Sequence, residues 1–305
     1  MVIDMSAITE CRSCGTSDLI SILSLGNQYP SNFVDDDFSP NEKDKIPLEL
    51  VFCRKKECGL LQLKHTASRE SLYKQYWFRS GLNETMRKAL QDITEGIEKR
   101  ISLSESDIVL DIGCNDGTLL RSYKSKVKLV GFEPASNLIH EAEEGTDLII
   151  NNFFSFFEFA QHFLGERIKV ITSIAMFYDL EDPNSFVTDI VNCLDQSGIW
   201  VIQMAYLIPM LELNAFDNIV HEHLEYYSLK SLKNLLESHG LEIFDVELND
   251  VYGGSFRVFV KNKKNGQIQI QNSVNELLAR EEQFELSEKQ TYLDFAKRVN
   301  SIKDE

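Results

Sequence analysis

The sequence predicts an α/β fold, a Rossmann-like, doubly wound parallel sheet preceded by a small thiol-rich module. Three observations carry this. From Asp107 onward the short β-branched runs DIVLDIG, KVKLVGFE, DLIIN, IKVITSIAM and GIWVIQM alternate with helical stretches, which is the rhythm of βαβ units. The first of these runs leads into a glycine-bearing turn, IVLDIGCNDGTLL, where a strand gives way to a helix. Ahead of the sheet, four of the six cysteines fall in the first 58 residues as two close pairs.

Taken from the N-terminus, residues 1–65 read as a metal-pinned, loop-rich module. Cys11-x-x-Cys14 and Cys53-x-x-x-x-Cys58 supply four thiolates in two local clips, with the turn-rich NQYPSNFVDDDFSPNEKDKIP between them. Two such clips brought together make a closed tetrahedral zinc site, and four protein ligands leave no open position, so the metal is expected to be structural. Disulfides and four separate buried thiols are the alternatives, and the paired spacing favours neither. Residues 66–105 read as a helical connector, with Met86, Leu90, Ile93 and Ile97 at helical spacing. Within it Tyr76, Trp77, Phe78, Arg79 and Ser80 form an aromatic and cationic group. It can stack on a base or sugar and pair a phosphate through Arg79, though the same residues suit a core.

Residues 106–265 hold the sheet. Its later part reads as a helix at SLKSLKNLLESHG, capped by Gly240, followed by LEIFDVELN and SFRVFVKN as an antiparallel pair. Residues 266–305 read as a C-terminal amphipathic helix that stops mid-pattern, expected to begin a truncated substrate domain.

The glycine turn is the first candidate site. Asp111, Gly113, Asn115, Asp116 and Gly117 lie at the end of the first strand and the start of the next helix, where glycines let backbone approach a ligand and the helix start offers free N–H groups. A pyrophosphate-binding loop reads G-x-G-x-x-G, and this one does not. Its acidic and amide residues suit the cationic amino-acid end of S-adenosyl-L-methionine better than a diphosphate. Glu133, followed by Pro134, ends the second strand about 20 residues later, where a carboxylate can accept both hydroxyls of a ribose.

Charge excludes other classes. A formal charge of −17 and a pI near 4.8 leave no excess of cations for phosphate backbones, so no nucleic-acid partner is expected. No apolar run approaches the roughly 18–20 residues of a membrane span, and MVIDMSAITECRSC lacks a signal layout, which points to the cytoplasm.

The densest polar cluster is His221, Glu222 and His223, set among Phe216, Ile219, Leu224, Tyr226 and Tyr227. Its i, i+1, i+2 spacing lacks the i, i+4 pair of a helical metal site, leaving a lined cavity or a hydrogen-bonded turn. Tyr178, with Asp179 beside it, follows the fourth strand at the edge where ligands of such sheets bind. Gly253 and Gly254 precede the strand carrying Arg257, either as a hairpin or as a wall of a substrate pocket.

The order of motifs, C-x-x-C, C-x-x-x-x-C-G-L-L-Q-L, YWFRSG, the glycine loop, FDNIVHEHLEYYS and VYGGSFRV, resembles the zinc-containing sugar C-methyltransferases of deoxysugar biosynthesis over nearly the whole chain. The resemblance implies a class I methyltransferase sheet with an N-terminal zinc-binding module, S-adenosyl-L-methionine and structural Zn2+ as cofactors, and a nucleotide-linked 4-keto sugar as the small-molecule substrate. It further implies His223 as the acid/base and Glu222 as its supporting group, with Tyr178 and Tyr76 as further candidate catalytic residues and Arg79, His221 and Arg257 as substrate contacts. Two positions depart from the family. Val220 stands where a Tyr precedes the Glu, and Tyr178 stands where the family often has His. O- or N-methylation on the same fold, or an inert zinc-containing binding module, are the alternatives.

Overall fold

The computed structural model describes residues 5–30 and 41–304. Its centre is a seven-stranded sheet. Strands β6 (Ile108–Ile112), β7 (Lys128–Phe132), β8 (Leu148–Ile150), β9 (Ile168–Ile174) and β10 (Leu194–Ala205) are parallel, and β12 (Leu241–Asn249) and β13 (Ser255–Asn262) complete it antiparallel, in the order β12-β13-β10-β9-β6-β7-β8. Covered on both faces, the central strands are mostly apolar, and β6 is buried throughout its length, Asp111 included. The class I methyltransferase sheet expected from the sequence is therefore present, including the antiparallel pair at its end. β6 lies between β7 and β9, so the chain reverses its direction of travel there, and a crevice opens at the carboxyl ends of these strands.

The helices between the strands are short. They are α3 (Ile139–Glu143), α4 (Phe156–His162), α5 (Pro183–Cys193), α6 (Leu207–Leu213) and α7 (Leu229–Ser238). The last has a full capping box between Ser228 and Ser231, and Gly240 follows it at φ 75. In the connector, helix is confined to α1 (Arg69–Tyr73) and α2 (Glu84–Arg100), the latter capped by Asn83. The aromatic group between them is irregular backbone that runs into a 3-10 turn at Ser80–Leu82, and the N–H groups of Tyr76 and Ser80 bond to Asn137 and Asn115 in loops of the sheet domain.

The N-terminal module is richer in strands than its composition suggests. β2 (Leu19–Gln28), β3 (Ile46–Cys53) and β4 (Leu61–Leu63) form an antiparallel sheet, and β1 (Met5–Ala7) pairs with β5 (His65–Ala67). Strands β2 and β3 flank the turn-rich stretch, part of which, residues 31–40, lies outside the described residues. The fourth strand of this sheet is β11 (Glu225–Tyr226), supplied by the sheet domain and paired with β4. The C-terminal residues form two helices, α8 (Asn272–Gln283) and α9 (Lys289–Asp304). α9 packs back on the first module, where Tyr292 meets the ring of Phe52 at 4.4 Å. Among the described residues no helix is long and apolar enough to cross a membrane.

Candidate active site and metal centre

Cys11 and Cys14 sit on the turn before β2, Cys53 ends β3, and Cys58 lies on the turn into β4. This brings four sulfurs within 4.8 Å of one another. A zinc–sulfur bond of about 2.3 Å in a tetrahedron separates neighbouring sulfurs by about 3.8 Å. Cys11 and Cys58 are 3.8 Å apart and Cys14 and Cys53 3.6 Å, so the four thiols fit zinc and form no disulfide. Outer groups orient the ligands, as metal sites require. Gln62 donates to the Cys11 sulfur at 3.2 Å and accepts from the Arg12 backbone at 3.1 Å, while buried Arg12 reaches Thr66 at 2.8 Å.

The second site is the crevice at the sheet's carboxyl edge, a cleft of about 210 Å³. Ile112 and Gly113 from the end of β6, Phe132, Glu133 and Pro134 from β7, and Ile174, Ala175 and Met176 from β9 make its floor. Gly113 and Gly117 both take positive φ, 71 and 76, and a Cβ on Gly117 would come within 2.9 Å of the Ala142 carbonyl, so that position tolerates no side chain. Glu133 is buried, and its carboxylate accepts the backbone N–H of Asn115 at 2.7 Å and of Ala135 at 2.8 Å. Burial pushes it above the usual carboxylate range against the pull of those two donors. A carboxylate has further lone pairs, so ribose hydroxyls can still reach it.

Of the loop residues proposed for the cofactor, Gly113, Asn115, Glu133 and Pro134 line the cleft. The others face elsewhere. Asp111 lies behind the loop, where it accepts from Thr172 at 2.6 Å and burial pushes it to about 7. Asp116 accepts the N–H of Gly81 at 2.6 Å, and the Asn115 side chain bonds Ser80 N–H and the Phe78 carbonyl, both at 2.9 Å. The polar loop residues thus hold the Phe78–Gly81 segment over the cleft.

At one end of the cleft, Tyr73, Tyr76 and Asp179 converge, with Glu222 nearby. Burial, reinforced by the charges of Glu222 and Glu225, pushes Asp179 well above the usual carboxylate range, and its buried Oδ1 has no hydrogen-bond partner among the described residues. Glu222 is raised by burial. Behind this group the ring of Tyr178 packs on His223 at 4.3 Å between centroids. His223 Nδ1 lies 3.0 Å from the Asn218 carbonyl. A carbonyl only accepts, so the proton sits on Nδ1 and the Nε2 lone pair is free. Burial lowers its pKa to about 4, which keeps the imidazole neutral. His223, Glu222, Tyr178 and Tyr76 are thus neighbours in space.

The three proposed substrate contacts are not part of this group. Arg79 pairs with Glu141 at 3.0 Å on the outer surface. His221 is buried with Nε2 3.0 Å from the Ile46 carbonyl of the first module. Arg257, 3% exposed, holds Asp92 at 2.9 Å, Glu247 at 3.0 Å and Gln203 at 2.9 Å, beneath α2. The cleft's charged lining is instead Arg69, Glu133, Asp179 and Glu181, three carboxylates against one guanidinium. Sequence reading missed Arg69, Tyr73, Glu181 and Tyr252. No motif marks them, because the fold gathers them from separate loops.

The depressed pKa of His223 carries a sign. Stability linked to this group is present above the unfolded value, about 6.5, and is lost as pH falls through about 4 in the folded protein. His223 should accordingly put no inflection near 6.5 in the kcat/KM profile, and one there that disappears in His223→Ala would overturn the lowered pKa while leaving the imidazole as the titrating base.

Comparisons with known proteins add the following. A family model described as "Methyltransferase domain" matches residues 82–246, one described as "Putative zinc binding domain" matches residues 11–73, and one described as "C-methyltransferase C-terminal domain" matches residues 250–305. The C-methyltransferase NovU of Streptomyces niveus is 29% identical over 306 residues, covering 97% of this chain and 70% of that protein. Among solved structures, magnesium protoporphyrin IX methyltransferase of Synechocystis with bound SAM is 12% identical, with 57% of this chain and 78% of that one covered and a TM-score of 0.42. An S-adenosylmethionine-dependent methyltransferase of Clostridium acetobutylicum is 14% identical, with 57% and 91% covered and a TM-score of 0.44.

Proposed function

The chain belongs to the methyltransferase family, and from that premise we propose that it transfers the methyl group of S-adenosyl-L-methionine to a carbon next to a ketone, in a nucleotide-linked 4-keto deoxysugar. The observation that carries the reading is the neutral His223 imidazole with its free Nε2, set beside a cleft whose lining is predominantly acidic. With Asp179 pushed well above the usual range by burial, Glu133 and Glu181 against Arg69 are the charges that count, and they suit a sulfonium and an ammonium group better than a diphosphate. Glu133 is the group to accept the ribose hydroxyls. Zinc bound by Cys11, Cys14, Cys53 and Cys58 is coordinatively closed and takes no part in the chemistry.

Carbon nucleophiles require loss of a C–H proton, which is acidic enough only next to a carbonyl. His223 Nε2 takes that proton, the C–H electron pair passes into an enediolate, and its carbon then attacks the methyl group. The new C–C bond forms as the methyl–sulfur bond breaks, and S-adenosylhomocysteine leaves. Glu222, raised by burial, is the neighbouring group to receive or return the proton. Holding donor and acceptor at near-attack distance away from water supplies the remaining acceleration. Resemblance to a C-methyltransferase and the C-terminal family match support carbon over oxygen or nitrogen as the acceptor.

The test is solvent exchange. In deuterated water, with S-adenosylhomocysteine replacing the donor, the protein should incorporate deuterium at the carbon next to the ketone of a 4-keto nucleotide sugar. Methylation of a hydroxyl or amine with no such exchange would sink the reading. Binding has its own check. Glu133→Gln should weaken S-adenosylhomocysteine by about 1–3 kcal/mol, roughly 5- to 150-fold, by calorimetry. Asp111→Asn, behind the loop, should weaken it less, and equal losses would argue against Glu133 as the direct contact.

A further inference from the structure

A second, smaller cavity of about 20 Å³ lies beside the cleft, lined by His223, Tyr178, Tyr206, Met210, Asn218 and Tyr252 among others. It has room for one water and no sugar, since a water needs about 10–15 Å³ on this measure. Among the described residues Tyr252 alone lines both cavities. If the donor occupies the cleft, as proposed above, the base stands on the far side of a wall, and the reacting carbon of the acceptor has to reach both.

Tyr252 is the movable part of that wall. Tyr178 is 7% exposed and packed on His223, whereas Tyr252 is 41% exposed, and among the described residues its hydroxyl meets only the Met86 sulfur at 3.9 Å. Its backbone sits at φ 55, ψ 32, a left-handed conformation that a bulky aromatic residue adopts only under constraint. The constraint is visible. Gly253 and Gly254 follow at φ 78 and 121, the Gly254 carbonyl accepts from Tyr206 N–H at 3.0 Å, and Ser255 Oγ donates to the Val251 carbonyl at 2.7 Å. A Cβ on Gly254 would lie 2.7 Å from Pro209, so the turn presses directly against α6. The loop holds an aromatic ring in a strained position between the two spaces that the reaction must join.

We propose that Tyr252 is the gate of the acceptor site: its ring closes the His223 cavity from the cofactor cleft and swings aside to admit the acceptor, which makes it a specificity-determining residue. The proposal rests on the cleft and His223 having the roles given above.

Diethyl pyrocarbonate labelling of the purified full chain tests it without any acceptor. Labelling is read at His223 by peptide mass spectrometry, with the 92%-exposed side chain of His140 as the internal reference. A gate open for about 0.1–10% of the time slows His223 labelling by about 10- to 1000-fold, and Tyr252→Gly should restore that factor. The same substitution relieves the left-handed strain, so the thermal midpoint should hold or rise, which excludes unfolding as the cause of faster labelling. Tyr252→Phe keeps the ring and should keep the slow rate. Parental His223 labelling as fast as His140, or no acceleration in the glycine variant, would overturn the gate. S-adenosylhomocysteine binding and the turnover of His223→Ala, measured on the same preparations, report separately on the underlying roles.

Discussion

His223→Ala should lower turnover of a 4-keto nucleotide sugar by about 10²- to 10⁴-fold, the usual cost of removing a general base, while cofactor affinity and zinc content stay at parental values. Three features set the size of the effect. The Asn218 carbonyl fixes the imidazole tautomer, so one nitrogen is ready to take a proton and the other is not available to replace it. Burial keeps the ring neutral, so essentially all molecules carry the base form at neutral pH. Tyr178 packs on the ring and limits its rotation, so the direction of Nε2 is held. Glu222→Gln should cost less if Glu222 only passes the proton on. If His223→Ala turned over near the parental rate with intact folding, the base would have to be sought at Glu222, Tyr178 or Tyr76.

What sequence could and could not reveal divides along a physical line. Patterns that are local in the chain were legible. The β-branched runs of the sheet, the glycine turn after β6, the carboxylate ending β7, the two cysteine clips and the capped helix before β12 all follow from spacing within a dozen residues. Partner choice was not legible. Arg79 and Arg257 look available to a substrate in the sequence, yet Glu141 in one case and Asp92 with Glu247 in the other come from 62, 165 and 10 residues away. Asn115 and Asp116 look like ligand contacts, yet they bind backbone some 35 residues upstream. Tyr252 left no mark at all, because its strain is a property of the loop around it. A charged or polar side chain in a sequence states what it can bond, and only the fold states what it does bond.

Cys58→Ser, or removal of zinc by chelation, should abolish turnover as well as lower the thermal midpoint, and the loss of activity should exceed the loss of cofactor binding. Structural zinc contributes about 10–16 kcal/mol in zinc-finger peptides, comparable with the whole stability of an ordinary domain at about 5–15 kcal/mol. The first module is therefore expected to lose its shape when the metal is removed. Turnover is drawn in because the loop carrying His223 is built into that module. β11 is the edge strand of its sheet, Leu63 N–H donates to the Leu224 carbonyl at 2.8 Å, and His221 is tied to Ile46 of β3. These contacts lie within three residues of His223, whereas Gly113 and Glu133 belong to the seven-stranded sheet and keep their supports when the module loosens. Metal analysis should find about one zinc per chain in protein purified without chelator, and turnover should track zinc content across partly stripped samples. Stripped protein that holds its turnover would break the link between the metal and the His223 loop, and protein that never contained zinc would remove the metal assignment itself.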